Sequence, residues 1–421
     1  MDSVRLTLPR AELQRVLPTL LRRQEGLTVW GPLYLRGARG GVELLVPRLH
    51  VHTAWNTPSA RDSLLFRWRE SEPALSDNSL PSPGPGSALL EITPDGAAGG
   101  LWRDTANHTW PLTSLFLPGA GMHQLTLIEP DLSARERAAA RWSRLAGALG
   151  EDTLRRLHRL HVAGGGVGRN GSLMATSLAR LGIRRLTLVD PDHIEAHNLD
   201  AMDGVSATDI GRPKVEALGN ALRGGLDLRM VALPVTRRAA VRAVAEADLL
   251  VSCVDHDGAR LAVGILAAAY LRPLLDIGTG VLGQGSERRL GADLRLILPG
   301  ESRCLACYGG VTQRLEVEAL LRPEANPPVL WSALRSGSLR SLNAVGVHLG
   351  LRLLEDLADE RITGSLWLRL DYEGAIPGIR QVTPRATPNC PVCRCAGWGD
   401  AIEAELPGLL ATLAAGMNRD H

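Results

Sequence analysis

The stretch His161–Leu181, HVAGGGVGRNGSLMATSLARL, decides the fold. An apolar run leads into the glycine-rich turn 163–168, and a segment with helical periodicity follows. The next apolar run, RLTLVD, ends at Asp190. A strand, a glycine turn, a helix and a second strand are typical of the nucleotide-binding unit of a parallel sheet, where the helix N-terminus supplies N–H groups to phosphates. A glycine turn that serves only close packing is the alternative.

The same alternation continues outward from this unit to about residue 298. It predicts an α/β fold with a Rossmann-like, doubly wound, mostly parallel sheet, in which the pieces after residue 279 form a meander. Residues 1–125 show a helical segment around 8–24 and then short strand-like runs, which predicts a separate N-terminal α+β domain. The domains expected are therefore 1–125, 126–405 and a short helical tail, 406–421.

Composition narrows the class of protein. The 421 residues carry 47 basic and 45 acidic side chains, so the net charge of +2 gives no electrostatic case for nucleic acid or an anionic membrane. No apolar run reaches about 18 residues, and the first residues lack the pattern of a signal peptide. We therefore expect a cytoplasmic protein with reduced cysteines.

Two counts point to particular residues. Lys214 is the single lysine among the 47 basic residues. A coding bias that favours arginine over lysine has left a lysine at this one position. A compact point charge that a planar guanidinium cannot replace is one explanation, and chance is the other.

Four of the six cysteines form two CxxC motifs, which predict a structural zinc site: Cys304, Cys307, Cys390 and Cys393.

Three further motifs follow the glycine turn: VDPDHIEAHNLD (189–200), DIGRPKVEAL (209–218) and LLVSCVDHDGAR (249–260). Together they resemble the ThiF/MoeB/HesA family of ATP-dependent adenylyltransferases, which includes the activating enzymes of ubiquitin-like proteins. RWSR at 141–144 and the two CxxC motifs match features that flank the motifs of the family. The resemblance covers about residues 135 to 400.

The resemblance implies a reaction. The C-terminal glycine carboxylate of a ubiquitin-like or sulfur-carrier β-grasp protein attacks the α-phosphate of ATP, which releases pyrophosphate and leaves an acyl-adenylate. It also implies Mg²⁺ and Zn²⁺ as metals, a homodimer, and a conjugating enzyme or a sulfur donor as a further partner. The setting that we expect is a bacterial pathway, with antiviral defence as one candidate.

The resemblance also implies roles for individual residues. Lys214 matches the catalytic lysine of the family, and Asp255 matches the aspartate that contacts magnesium. Asp190 and Asp192 match the acids near the ribose and the metal, and Asp190 is the one favoured for the ribose. Arg144 would reach across a dimer interface to the partner's ATP, or is an exposed helix charge. The nucleotide-binding set is Gly164, Gly165, Gly166, Gly168, Asp190, Asp192, Asn198 and Lys214.

The sequence departs from the family pattern in two places. Ala201 and Met202 stand where relatives have arginine and glutamine, which removes an expected phosphate contact. Arg169, at the mouth of the helix after the glycine turn, is a hypothetical replacement for the missing guanidinium and completes the candidate catalytic set. A solvated arginine at a helix end is the alternative.

Many relatives transfer the acyl group to a cysteine after the first CxxC motif, yet no cysteine lies between Tyr308 and Leu370. Cys253 falls in a predicted buried strand, so Cys395 is the remaining candidate for a thioester. We expect the product to stay as a bound adenylate, with the stretch 320–337 as a candidate lid.

Other interpretations remain open. In one alternative the chain is a non-catalytic scaffold subunit, and the loss of the family arginine at Ala201 favours this view. In others it adenylates a peptide or a small carboxylate, or acts as a tRNA-modifying cyclase. The N-terminal domain is either a degenerate JAB/MPN-like domain or an unrelated recruitment domain. His50 and His52 form only an isolated HVH without the rest of the JAB metal motif.

Overall fold

The computed structural model describes residues 3–21, 28–38, 41–52, 63–68, 85–92, 98–127, 140–222, 226–282, 288–301, 303–309, 338–373, 376–384 and 389–416. Within these residues the chain forms three β-sheets. None of the described helices is both long and apolar enough to cross a membrane.

In its described residues, the N-terminal unit contains one α-helix and two sheets. The helix, α1, spans Arg10–Leu21, inside the segment predicted from the sequence. The strands are β1 (Ser3–Thr7), β2 (Thr28–Pro32), β3 (Tyr34–Ala38), β4 (Gly41–Leu45), β5 (His50–His52), β6 (Ser63–Trp68), β7 (Ala88–Ile92), β8 (Ala98–Arg103), β9 (Thr109–Pro111), β10 (Ser114–Leu117) and β11 (His123–Thr126). One sheet has the order β11-β10-β1-β4-β3 and the other has the order β5-β2-β6-β7-β8-β9. Their apolar faces share one core, which includes Leu127, two residues beyond the predicted boundary at 125.

The second unit is built on an eight-stranded sheet. Its strands are β12 (His161–Gly165), β13 (Arg185–Val189), β14 (Asp227–Val231), β15 (Leu249–Ser252), β16 (Leu274–Leu282), β17 (Arg289–Ile297), β18 (Leu366–Glu373) and β19 (Ile376–Gln381). The order is β14-β13-β12-β15-β16-β17-β18-β19. The first five are parallel, and β16 to β19 pair antiparallel, as expected for a parallel sheet extended by a meander.

Helices cover both faces of this sheet. They are α2 (Ser143–Leu149), α3 (Glu151–Arg159), α4 (Arg169–Leu181), α5 (Lys214–Leu222), α6 (Arg238–Ala245), α7 (Asp257–Ala269), α8 (Arg340–Ala358), α9 (Pro391–Arg394) and α10 (Ile402–Gly416). Leucines of α3, α4 and α8 pack in one core, and apolar residues of α6, α7 and α10 pack in another. The predicted doubly wound, Rossmann-like α/β fold is therefore confirmed.

The order of the strands reverses between β12 and β15. The first crossover from β12 leads to β13 on one side, and the chain later returns to β15 on the other side. At the end of this pairing Gly165 lies opposite Ser252. In an open α/β sheet, such a switch point leaves a crevice at the carboxyl ends of the strands, where ligands bind.

A buried ionic cluster joins the two units at the opposite, amino end of the parallel strands. Glu43 of β4 contacts Arg272 at 2.6 Å and Arg36 at 3.0 Å. Arg5 of β1 contacts Asp248 at 2.7 Å, immediately before β15. Burial raises the pKa of the Glu43 carboxyl, but the three nearby guanidinium groups outweigh it and hold that pKa well below its usual range.

The predicted tail belongs to the core of the second unit. Helix α10 begins at Ile402, so the predicted boundary between 405 and 406 falls inside it. Leu406 and Leu410 are each only 1% exposed and share a core with α7. The apolar face of the helix needs this burial, which explains why Ile402–Gly416 packs with the second unit.

Candidate functional site

A cleft of about 1240 Å³ opens at the switch point of the sheet. The glycine turn, the segment after β13, the N-terminus of α5 and the segment after β15 form one end of it. The antiparallel strands β16 to β18 form the other end. The predicted residues that line it are Gly165, Gly166, Gly168, Arg169, Asp190, Asp192, Asn198, Lys214 and Asp255.

The glycine turn brings backbone close to backbone. Gly166 has φ +81°, and a Cβ there would lie 2.8 Å from the Val254 nitrogen, so only glycine fits. Gly168 precedes α4 and has open space around its Cα, which leaves the first N–H groups of a 13-residue helix accessible. An N-terminus of this kind suits a phosphate chain. Gly164 lies within β12 and is not among the residues that line the cleft.

Asp190 holds this turn in place. Its carboxylate accepts hydrogen bonds from the backbone N–H groups of Val167 (2.6 Å) and Asp192 (2.8 Å). The residue is only 6% exposed, and burial raises the pKa of its carboxyl. Each oxygen keeps a further lone pair, so the predicted ribose contact is compatible with this structural role.

Lys214 stands at the first residue of α5 with its ammonium group directed at acids. Its Nζ donates to Oδ2 of Asp192 at 2.8 Å, and its side chain is 12% exposed. Burial lowers the pKa of the lysine, but the charges of Asp190, Asp192 and Asp255 outweigh burial and raise it. The lysine is therefore a permanent cation among three carboxylates at the nucleotide end of the cleft.

Asp255 and Asn198 complete this end. Asp255 is an exposed residue beyond β15, and Asn198 is buried, with its Oδ1 accepting from the Glu195 N–H at 2.9 Å. Magnesium usually takes one or two carboxylates together with substrate phosphates and waters. Asp192 and Asp255 both line this end of the cleft, so two carboxylates are available there.

Arg169 is held by the segment in which the sequence departs from the family pattern. Its guanidinium contacts the Asp200 carboxylate at 2.9 Å and donates to the His197 carbonyl at 2.8 Å. The Ala201 and Met202 side chains are buried at 3% and 5% exposure. The two substituted positions therefore present no cation to the cleft, whereas Arg169, which contacts the preceding residue Asp200, lines it.

Arg144 does not line the cleft of this chain. It is exposed on α2 and is not among the residues that line the cavity. The prediction that it serves a partner's nucleotide therefore stays a prediction.

Sequence reasoning missed a network of charges on the floor of the cleft. Asp276, fully buried in β16, accepts from Arg260 and from Arg295, each at 3.0 Å. Asp293 of β17 accepts two hydrogen bonds from Arg369, at 2.8 and 3.0 Å. A signal was present, because charged residues recur at every second position in ADLRL (292–296) and LWLRLD (366–371), as one polar face of a strand requires.

The four cysteines of the CxxC motifs come together as predicted. Their sulfur atoms all lie within 4.8 Å of one another, and three pairs are 3.6 to 3.9 Å apart. With Zn–S bonds of about 2.3 Å, a tetrahedral site requires sulfur separations of about 3.8 Å, so the set fits zinc. All four positions of such a site would be filled by protein, which makes it structural.

The two remaining cysteines are buried. Cys253 is 9% exposed, and burial raises the pKa of its thiol to about 12. Cys395 is 0% exposed, and its Sγ donates to the Val392 carbonyl at 2.9 Å. Neither environment is that of a reactive thiolate, which needs access and nearby positive charge.

One predicted feature, the candidate lid 320–337, lies outside the described residues.

Comparisons with known proteins agree with the motifs. Residues 142–327 match the model of the ThiF family. The sulfur carrier protein ThiS adenylyltransferase of Escherichia coli is 27% identical over 231 residues, which cover 54% of this chain and 83% of that protein. Human ubiquitin-like modifier-activating enzyme 7 is 34% identical over 164 residues, which cover 35% of this chain but only 16% of that much longer protein.

A crystal structure of E. coli MccB with ATP matches with a TM-score of 0.47 and 21% identity, covering 61% of this chain and 75% of that chain.

Proposed function

We propose, on the premise that residues 142–327 form a ThiF-family domain, that this chain adenylates the C-terminal glycine carboxylate of a ubiquitin-like or sulfur-carrier protein. The observation that carries the proposal is the cleft at the switch point. There the lone lysine, the glycine turn and three aspartates converge beside a longer groove. In this proposal the nucleotide would occupy the first part, and the extended chain end of the substrate would occupy the second.

The reaction needs two anions to meet. A carboxylate oxygen of the substrate attacks the α-phosphorus of ATP, the bond from that phosphorus to the bridging oxygen breaks, and pyrophosphate leaves with its electron pair. The N–H groups at the start of α4 would bind the phosphates, and Lys214 would neutralise the charge that develops on them. Magnesium, when bound, neutralises further phosphate charge, and Asp255 and Asp192 would hold it.

Asp192 has a separate task in this proposal. Its ion pair holds the lysine beside the glycine turn before ATP binds. Its side chain is 63% exposed while that of Lys214 is 12% exposed, so a phosphate or a metal can reach the pair from the side of the carboxylate. The pair therefore positions the cation without locking it away from substrate.

We expect the adenylate to be the product, because the thiols outside the CxxC motifs are buried. Cys253 lines the cleft, but it is only 9% exposed and burial raises the pKa of its thiol to about 12, and Cys395 is 0% exposed. The chain has no other cysteine outside the four of the CxxC motifs. The activated protein would wait for a conjugating enzyme or a sulfur donor that brings its own nucleophile. The proposal includes a homodimer, in which Arg144 of one subunit would contact the ATP bound by the other. The protein would act in the cytoplasm.

One observation favours a second candidate, a binding subunit without catalysis. The family arginine is replaced by the buried Ala201, and the nearby Arg169 is engaged by Asp200. Lys214, Asp190 and Asp255 are all retained at the cleft, however, and a binding subunit has no need of them.

ATP–pyrophosphate exchange separates the candidates. Purified protein would be assayed with Mg-ATP and radiolabelled pyrophosphate, alone and with candidate proteins that end in glycine. Exchange that requires such a protein supports the proposal. Exchange supported by short peptides or small carboxylates would point to the small-substrate branch, and ATP binding without exchange under any condition would favour the scaffold subunit.

A further inference from the structure

Asn170 and Thr279 join the two ends of the cleft. Asn170 is the second residue of α4, directly after the glycine turn at the nucleotide end. Thr279 lies in β16, one of the strands that form the other end. The side-chain Nδ2 of Asn170 donates to Oγ1 of Thr279 at 3.0 Å, and both residues line the cleft. The pair therefore marks a place where the two ends are in direct contact.

A buried asparagine orients the hydroxyl group of Thr279. This hydroxyl donates to Oδ1 of Asn343 at 2.9 Å, whereas Oδ1 of Asn170 is 3.5 Å away. Asn343 is 3% exposed on α8, and its Nδ2 donates in turn to Oγ of Ser338 at 3.1 Å. A hydroxyl has only one proton to donate, so the shorter contact leaves Oγ1 of Thr279 as an acceptor. The amide nitrogen of Asn170, rather than its oxygen, is therefore fixed against β16.

The amide of Asn170 has a further hydrogen to offer. An amide nitrogen carries two hydrogens, and Thr279 takes one of them. Within the part of the chain that the structure describes, the second hydrogen has no acceptor, and the residue lines the cleft. The cleft thus contains an oriented, uncharged N–H donor at the point where its two ends meet.

Two guanidinium groups on the floor of the cleft are already engaged by acids. Arg260 donates to Asp276 and to Asp257, each at 3.0 Å, and Arg295 donates to Asp276 at 3.0 Å. A carboxylate that enters the cleft would have to displace a buried acid before it could pair with either arginine. An amide donor requires no such exchange, and it leaves on the carboxylate the negative charge that an attack on phosphorus needs.

We propose that Asn170 is a catalytic residue that holds the substrate carboxylate, with Thr279 and Asn343 as positioning residues. This inference rests on the proposed adenylation function. One carboxylate oxygen attacks the α-phosphorus, and pyrophosphate leaves with the electron pair of the broken bond. The other oxygen remains as the carbonyl oxygen of the acyl-adenylate. The Nδ2–H group of Asn170 donates to this second oxygen throughout, which keeps the attacking oxygen within about 3–3.5 Å of phosphorus before the bond forms.

The test uses two stable ligands that differ only in the acyl group. N-acetylglycylglycyl-sulfamoyladenosine carries the acyl group of the proposed adenylate, with a sulfamate in place of the α-phosphate. 5′-O-sulfamoyladenosine lacks the acyl group. Both affinities are measured by isothermal titration calorimetry, and their ratio reports the contacts made to the acyl group. We expect the wild type to prefer the acyl ligand.

Variants locate the source of this preference. Asn170→Ala should reduce it about tenfold, because one hydrogen bond to the acyl oxygen is lost, and should leave the affinity for sulfamoyladenosine unchanged. Asn170→Asp should reduce it further, since a carboxylate at this place repels the anionic acylsulfamate. Thr279→Val removes the hydroxyl that holds the amide and should reduce the preference in part, whereas Thr279→Ser should retain it.

Two matched controls make the same chemical changes outside the cleft. Asn220→Asp introduces a carboxylate at an exposed position of α5. Thr412→Val removes a hydroxyl of α10 that donates to the Gly408 carbonyl at 2.9 Å. Both variants should keep the preference of the wild type for the acyl ligand.

The two affinities also separate the possible failures. If Asn170→Ala keeps the ratio of the wild type, whether both affinities fall together or neither falls, the role of Asn170 is refuted and adenylation stands untouched. An unchanged ratio in Thr279→Val would refute the positioning roles of Thr279 and Asn343. If the wild type binds neither ligand, the proposed function itself fails.

Discussion

The Nζ of Lys214 lies 2.8 Å from Oδ2 of Asp192, and the backbone N–H of the same lysine donates to the Asp192 carbonyl at 2.9 Å. Two bonds to one residue place the lysine at the first position of α5, beside the strand end that carries Asp190. The lone lysine of the chain is thus fixed at both its backbone and its side chain.

Replacing this lysine tests its proposed role. Lys214→Arg keeps the positive charge but introduces a larger, planar group that cannot follow the phosphates as a point charge. We expect adenylation to fall by about 10²–10³, measured by ATP–pyrophosphate exchange. Arg229→Lys, a surface exchange of the same two residue types, is the control. Normal exchange in Lys214→Arg would show that any cation suffices at this position.

Substitution of Arg169 tests whether this residue replaces the arginine that relatives have at the position of Ala201. If its guanidinium substitutes for the missing arginine, Arg169→Ala should reduce exchange by about tenfold or more, because a charge-assisted contact to phosphate is lost. Asp200→Ala removes the carboxylate that pairs with Arg169 and leaves the His197 carbonyl as a partner, so the guanidinium should become more available to phosphate. Near-normal exchange in Arg169→Ala would contradict the substitution and assign the residue to the surface.

Removal of a zinc ligand should lower the stability of the protein and not only its activity. Cys390→Ser removes one of four ligands and should lower the free energy of unfolding by more than about 3 kcal/mol, since metal binding stabilises the folded state. Elemental analysis should find one zinc per wild-type chain. Cys395→Ala, a buried cysteine outside the four, should retain the metal. A folded wild-type protein without zinc would overturn the assignment.

The burial of Cys395 predicts that no thioester forms. Incubation of the enzyme with Mg-ATP and a substrate protein should give no reducible adduct on a non-reducing gel, because the thiol is 0% exposed. Iodoacetamide should likewise leave Cys395 and Cys253 unmodified in the folded protein. An adduct that disappears in Cys395→Ala would make that cysteine catalytic.

Glu43 links the stability of the protein to pH. The folded-state pKa of its carboxyl is depressed, so its contribution is fully present above the unfolded value of about 4.3 and is lost as the pH falls through the folded value. Glu43→Gln leaves buried guanidinium groups uncompensated and should lower the free energy of unfolding by about 3–5 kcal/mol near neutral pH.

Chemical denaturation between pH 3 and pH 7 measures both effects of Glu43→Gln. The variant should also show a smaller loss of stability on acidification than the wild type, because the titrating carboxyl is gone. Glu246→Gln, which breaks an ion pair with Arg229 at the surface, should change stability by less than about 1 kcal/mol. Equal effects of the two variants would refute the ionic cluster as a joint between the units.

The sequence by itself determined the parts of this protein that depend on local order along the chain. A glycine turn between a strand and a helix has few backbone solutions, and the alternation of elements allows few topologies, so the parallel sheet and its switch point were predictable. The spacing of two CxxC motifs likewise predicted the cysteine cluster, since each motif places two sulfurs on one turn.

Tertiary structure decided what depends on distant strands and on burial. Gly280, Gly291, Asp371 and Gly378 lie opposite one another through the register of four strands, and that register depends on packing that no single sequence motif specifies. The same holds for Glu43 and Arg272, 229 residues apart in the chain, which meet only when two units are packed. Burial, finally, distinguished Cys395 from a reactive thiol, because the environment of a side chain is a property of the folded core.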